Sequence, residues 1–195
     1  MNDSSMIPDH DLPRAAVRPY PSSYVTTWVT RDGTPLTIRP IRPDDEDKMV
    51  HFHESLSDRS VYLRYFHQMP LSARVTHARL SHICVVDYDV EMVLVAESES
   101  GDIVAVGRLT RERSSPDAEF ALLVSDSWHE HGVGTELLER LLEVARQEGI
   151  RRVFGEILTE NRAMQDVCRR LGFDLRYSVE EGVVKATIEV VSLKS

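Results

Sequence analysis

The chain has 195 residues, 42% hydrophobic and 28% charged, which suits a soluble globular protein of one well-cored domain plus a tail and excludes two comfortable domains. No run approaches the roughly 18 to 20 apolar residues of a membrane span, so no membrane partner is expected. A formal charge of −9 disfavours nucleic acid as a partner, since such binding draws on Lys and Arg, and two cysteines without an apolar N-terminal core point to a reducing cytoplasm.

Residues 1 to about 22 carry Pro8, Pro13, Pro19 and Pro21 and show no apolar period, which reads as a flexible arm ahead of a single domain over residues 23–195. YVTTWVTRDGTPLTIRPI then offers two strands joined at Asp32-Gly33, a dipeptide suited to a tight hairpin turn. In RPDDEDKMVHFHESLS, Asp44 or Asp45 can cap a helix whose Met49, Phe52, His53 and Leu56 share one face. His51 and His53 are two apart, hence on different faces, and make no ligand pair. Further helical stretches run from Arg59 to about Phe66 and from Ser72 to Ile83.

After residue 90 the pattern becomes extended. EMVLVAES, DIVAVGRLT and DAEFALLV are short and rich in β-branched residues, and turn chemistry separates them, which predicts three consecutive antiparallel strands. WHEHGVGTELLERLLEVA places Gly132 and Gly134 at the mouth of a helix with an apolar stripe of Leu137, Leu138, Leu141, Leu142 and Ala145, ended by Gly149. RRVFGEIL predicts a strand. NRAMQDVCRRLG predicts a helix opened by Asn161, with Met164, Val167, Cys168 and Leu171 on one face and Gly172 as its stop. A closing hairpin turns at Glu181-Gly182.

Glycines at a helix N-terminus gather backbone N–H groups and the positive end of the helix dipole around an anion. A phosphate loop of the Walker type needs a lysine that HEHGVGTELL lacks. A dinucleotide fingerprint needs a small residue where Leu137 stands, in a βαβ context that a mostly antiparallel order does not provide. What remains is a cradle in which the main-chain amides themselves bind the anion.

This order of elements resembles the GNAT superfamily of acyl-CoA-dependent N-acetyltransferases. The run His129-Glu130-His131-Gly132-Val133-Gly134 matches that family's Q/R-x-x-G-x-G/A loop, and NRAMQDVCRRLGF looks like its second cofactor segment. The resemblance covers residues 34 to about 190 and implies an α/β fold of the α+β kind: a mixed, mostly antiparallel sheet of about seven strands flanked by about four helices, splayed between the fourth and fifth strands. It implies acetyl-CoA as co-substrate, with its pyrophosphate at His131, Gly132, Val133, Gly134 and Thr135. LTIRPIRPDD, LSDRSVYLRYF, VDYDVEMVLVA, AEFALLV and EEGVV are similar, more narrowly, to the acetyltransferase domain of bacterial Pat-type protein lysine acetyltransferases.

Acetyl transfer to an amine needs a base, because a free lysine has a pKa of about 10.4. In DAEFALLV, Glu119, Ala121 and Leu123 alternate with Ala118, Phe120, Leu122 and Val124. A carboxylate on an otherwise apolar strand is costly, and burial raises its pKa toward values useful to a base. The Pat-type resemblance places the catalytic glutamate at Glu119. The structural alternative is a strand-edge carboxylate paired with Arg108 or Arg111.

The resemblance also implies that the Leu122 amide faces the acetyl oxygen and that Val124 pairs with the pantetheine arm. His129 stands where the family has Gln or Arg and can donate to phosphate. His129 and His131 alone are a weak zinc signal, so no metal is expected. Asn161 is a helix cap or a pantetheine partner, and the resemblance favours the second. Cys168 occupies the position of the family's tyrosine acid, where a small packed residue is the plainer reading and water can protonate the leaving thiolate. Tyr62, Arg64, Tyr65 and Phe66 shape the acceptor cleft or pack the core. The expected activity is transfer of acetyl to the ε-amine of an accessible lysine on a protein such as a metabolic enzyme. The alternatives are a small amine acceptor and a non-catalytic acetyl-CoA sensor.

Overall fold

The computed structural model describes residues 18–191; residues 1–17, most of the expected arm, lie outside them. The residues that follow lie against the domain. Arg18 donates to the Tyr88 carbonyl (3.2 Å) and pairs with Glu148 (3.0 Å), and the Tyr20 hydroxyl donates to the Pro40 carbonyl (2.9 Å).

The first hairpin consists of β1 (Thr26–Val29) and β2 (Pro35–Pro40), and its turn places Gly33 at φ +89°. Four helices follow: α1 (Glu46–Glu54), α2 (Asp58–Tyr65), the single turn α3 (Leu71–Arg74) and α4 (His77–Cys84). Strands β3 (Glu91–Ser98), β4 (Ile103–Thr110) and β5 (Asp117–Val124) lead to the long helix α5 (Val133–Glu148). The chain closes with β6 (Arg152–Leu158), α6 (Arg162–Arg170), β7 (Asp174–Ser178) and β8 (Val183–Glu189). The eight strands form one sheet in the order β1-β2-β3-β4-β5-β6-β8-β7. Every neighbouring pair is antiparallel except β5 and β6.

The mixed α/β architecture agrees with the expectation, and the strand added by the first hairpin moves the split. Pairing between the parallel strands runs only through Asp117–Arg152, Ala118–Val153 and Glu119–Phe154. Beyond Glu119 they part, so the splay lies between the fifth and sixth strands rather than the fourth and fifth. The Phe120 ring occupies the space a side chain at Gly155 would need, since a Cβ there would stand 2.6 Å from Phe120 Cε1. Phe173 packs edge-on against the same ring with centroids 5.4 Å apart.

One sheet face is covered by α5, whose stripe Leu137, Leu138, Leu141, Leu142 and Ala145 is buried as its spacing predicts. Gly107 on β4 permits the close approach, because a Cβ there would meet Leu141 Cδ1 of α5 at 3.2 Å. The other face is covered by α1, α2 and α4, and the predicted α1 stripe of Met49, Phe52, His53 and Leu56 is buried there. Asp45 differs from its expected role. It stands at the start of α1 without capping the helix, because its carboxylate is held by both terminal nitrogens of buried Arg39 (2.7 Å each) and by the Arg42 amide (2.7 Å). Arg39 Nε also donates to Glu97 (2.7 Å), and Lys48 completes the cluster. The Arg39 hydrogen bond holds the Glu97 carboxyl down at about 2, so its contribution is present above the usual carboxylate range and is lost as pH falls toward 2.

His53 sets a second, higher window. Burial, with Arg74 and Arg79 nearby, pushes the imidazole down to about 4, and neither ring nitrogen has a hydrogen-bond partner among the described residues. The unfolded chain therefore binds a proton between about pH 6.5 and 4 that the folded chain refuses, and stability falls with acidification across that window. Thermal melts from pH 7 to 4 should show this loss in the wild-type protein and a flatter profile in His53→Leu. Among the described residues no helix is long and apolar enough to cross a membrane.

Candidate active site

A cavity of about 950 Å³ opens where β5 and β6 part and extends to the start of α5. Its floor follows from strand parity. Leu123 packs with the α1–α4 core and Phe120 with the α5 core, so Glu119, which alternates with Phe120, faces the α2 side. The parallel register sets Phe154 beside Glu119, which puts Glu156, two residues further along β6, on the same face. Both carboxylates line the cavity and both are exposed. Its place on an apolar strand predicts a buried Glu119. The structure corrects this, because α2 stands over the strand without closing the cleft. The expected structural partners of Glu119 are engaged elsewhere: Arg108 pairs with Glu91 (2.7 Å) and Arg111 donates to the Asp89 carbonyl (3.0 Å).

The main chain of β5 provides the cavity wall. Ser125 donates to Val104 on β4 (2.9 Å), and backbone groups alternate sides along a strand. The N–H and C=O of Leu122 and Val124 therefore point into the gap left by β6. The Val124 carbonyl accepts from His129 Nε2 (3.1 Å). With that nitrogen donating, His129 retains only Nδ1, which offers a proton to an anion only in the imidazolium form. His131 turns away from the cavity: its Nδ1 meets the His129 carbonyl (2.8 Å) and its Nε2 lies 3.5 Å from Asp32 on the first hairpin. Among the described residues no three His, Cys, Asp or Glu side chains converge as a metal site requires.

At the mouth of α5, Gly132 adopts φ +87° and no side chain caps the helix. The amides of Val133, Gly134 and Thr135 are the unpaired donors of a first helical turn and all three residues line the cavity. Gly134 sits against β5, where a Cβ would make an ordinary contact with Val124 Cγ2 at 3.5 Å. Three free amides with the dipole of a sixteen-residue helix behind them can hold an anion.

Asn161 and Cys168 separate. Asn161 Oδ1 caps α6 by accepting from the Met164 amide (3.1 Å), the role the resemblance had ranked second, while the residue still borders the cavity. The two roles are compatible because the cap uses the oxygen and leaves the amide nitrogen to donate. Cys168 is fully buried in the α5 core, away from the cavity, and burial pushes its thiol up to about 12. It faces the packed side of α6, whereas Met164 and Val167 face the cavity.

The outer wall is α2. Asp126, just beyond β5, accepts from the Ser57 amide (2.9 Å), the Ser57 hydroxyl (2.6 Å) and the Ser60 hydroxyl (3.0 Å), which fixes the helix start over the cleft. Of the four residues expected to shape the cleft, Arg64, Tyr65 and Phe66 line it and Tyr62 does not. Phe66 ends α2 at φ +65°, an uncommon conformation for an aromatic residue. The Arg64 guanidinium lies over the Tyr65 ring (4.9 Å). Burial pushes Arg64 below its usual range against the pull of Tyr65 and Glu119. Sequence reasoning missed Glu156 and Arg31. The alternation in RRVFGEIL carried a signal for the first; nothing local to RDG pointed to the second.

The family profile of the acetyltransferase (GNAT) domain matches residues 35–174. An acetyltransferase of Pseudomonas aeruginosa is 29% identical over 151 residues, covering 75% of this chain and 80% of its own. The acetyltransferase Pat of Mycolicibacterium smegmatis is 30% identical over 144 residues, covering 73% of this chain; the alignment spans only 42% of that longer protein. The crystal structure of the GNAT domain of S. lividans PAT superposes with a TM-score of 0.80 at 31% identity, covering 88% of this chain and 99% of that one. Uncapped amides at a G-x-G turn, a sheet that opens beside them and these matches agree: the chain belongs to the GNAT acetyltransferase family and is an acetyl-CoA-dependent N-acetyltransferase.

Proposed function

We propose that this chain transfers acetyl from acetyl-CoA to the ε-amine of a lysine on a protein of the cytoplasm, by direct attack, with residues 23–195 as the catalytic unit and Glu119 as general base. The supporting observation is the placement of Glu119 on the cleft floor beside the last paired residues of β5 and β6, next to the gap into which Leu122 and Val124 point. The amine nitrogen forms a bond to the thioester carbon while Glu119 takes its proton. The Leu122 amide donates to the oxygen as charge develops there. The C–S bond then breaks, and water protonates the departing thiolate, since Cys168 is buried elsewhere.

The amide cradle holds the diphosphate of the cofactor, and Gly132→Val tests this role. A β-branched residue at φ +87° costs about 1–3 kcal/mol of strain and would also meet Trp28. Acetyl-CoA affinity should fall by about tenfold or more in calorimetric titration; unchanged affinity would remove the cradle from the account.

A second reading has Arg64 in its favour. Among the described residues this half-buried cation has no carboxylate within ion-pair distance, and it lines the cleft beside Glu119. Such a group suits a small acceptor that carries a carboxylate near its amine. Purified protein, labelled acetyl-CoA and matched acceptors decide between the two. Incorporation into lysines of intact proteins supports the first reading, and turnover confined to small amino acids supports the second.

A further inference from the structure

The first hairpin lies against the anion cradle. The Trp28 ring backs Gly132, where a Cβ would stand 3.6 Å from Trp28 Cη2, and Asp32 lies 3.5 Å from His131 in the same turn. Between those two contacts, at the hairpin tip, is Arg31. Its side chain is exposed and it lines the cavity with Gly132, Gly134 and Thr135. Strand β1 and the tip, residues 26–34, precede residue 35, where the family match begins.

The cradle has a charge deficit that this arrangement fills. Coenzyme A carries a diphosphate and a 3′-phosphate, while the chain carries −9 and repels such an anion at long range. The turn itself supplies amides, no lysine or arginine, and a His129 whose Nε2 is bound to Val124. Among the described residues four arginines line the cavity. Arg59 is paired with Glu160 (2.9 Å), Arg64 lies in the field of Glu119, and Arg170 ends α6 on the opposite wall. Glu119 and Val124 are five residues apart on an extended strand, about 17 Å, so the cation beside Glu119 serves a different part of the cavity from the cradle. Arg31 is the cation carried on the hairpin that Trp28 and Asp32 hold against Gly132 and His131. Asp32, its neighbour, is held by Thr30 and faces His131 rather than the cavity.

We propose that Arg31, carried on the β1–β2 hairpin, is a phosphate-binding residue of the cofactor site and supplies the positive charge that the glycine turn lacks. This rests on the acetyl-CoA reading above. A guanidinium gives a phosphate a bidentate, charge-assisted contact, and the hairpin contacts fix its approach.

Calorimetric titration of wild-type protein, Arg31→Ala and Arg31→Lys with acetyl-CoA, acetyl-3′-dephospho-CoA and acetyl-pantetheine tests the proposal. Arg31→Ala should weaken acetyl-CoA by about tenfold or more, flatten the salt dependence of binding, and leave acetyl-pantetheine unaffected. Arg31→Lys should recover part of the loss. If the loss disappears with the dephospho form, the partner is the 3′-phosphate; if it persists there, the partner is the diphosphate. Equal binding of acetyl-CoA by wild type and Arg31→Ala, or an equal loss toward acetyl-pantetheine, overturns the proposal while leaving the acetyl-CoA site intact. A wild-type protein that binds none of the three defeats the parent reading instead. The substitution is at an exposed turn position, so folding is not at stake.

Discussion

Replacing Glu119 with glutamine is expected to lower turnover by about a hundredfold or more while acetyl-CoA binds as in the wild type. A lysine ammonium sits about three pH units below its own pKa at neutrality, so almost none of the acceptor is nucleophilic until a base takes its proton. Glu119 is the carboxylate nearest the point where β5 and β6 separate, and the gap beyond it exposes the main chain of Leu122 and Val124. Glutamine keeps the side-chain volume and one acceptor oxygen and removes the charge and the basicity. Steady-state rates and calorimetry on the same preparation check both halves. Glu156→Gln, on the facing strand, should instead raise the acceptor KM several-fold, as the loss of a carboxylate that attracts the ammonium without taking its proton. A Glu119→Gln protein with wild-type turnover would move the base elsewhere.

The second large effect is on the split itself. Gly155→Ala places a methyl group where Phe120 Cε1 stands 2.6 Å away, Cζ 2.8 Å and Cδ1 2.9 Å, and the ring is held from the other side by Phe173. Overpacking of this kind costs about 1–3 kcal/mol, which for a chain of this length lowers Tm by about 3 to 10 °C. The displaced ring also alters the wall next to Glu119, so acetyl-CoA affinity and turnover should fall together. Phe120→Leu in the Gly155→Ala background relieves the contact and should recover part of the Tm, a coupling a double-mutant cycle measures. If Gly155→Ala melts with the wild type, the ring is free to move and the contact is not a constraint.

The sequence carried much of this architecture because its periods are clean. The α5 stripe, the alternation in DAEFALLV and the glycine stops at Gly149 and Gly172 each report local backbone geometry, and each element formed where its period ran. What the sequence could not carry depends on contacts between distant segments. The exposure of Glu119 depends on how far α2 stands from β5, which Asp126 sets through Ser57 and Ser60. The removal of Cys168 from the cleft depends on which face of α6 meets β7 and β8. Asp45 reads as a helix cap until the strand register delivers Arg39 and Glu97 beside it. Arg31 lies about a hundred residues before the glycine turn, and only the pairing of β1 with β2 at one sheet edge brings its hairpin there.

The central claim is that free amides at the start of α5, together with the gap between β5 and β6, form a site for an acyl-CoA thioester. Isothermal titration of acetyl-CoA into the wild-type protein tests it most directly. The account predicts saturable one-to-one binding that rises in Kd by about tenfold or more in Gly132→Val. Absence of heat and of any melting shift with acetyl-CoA in excess would contradict it.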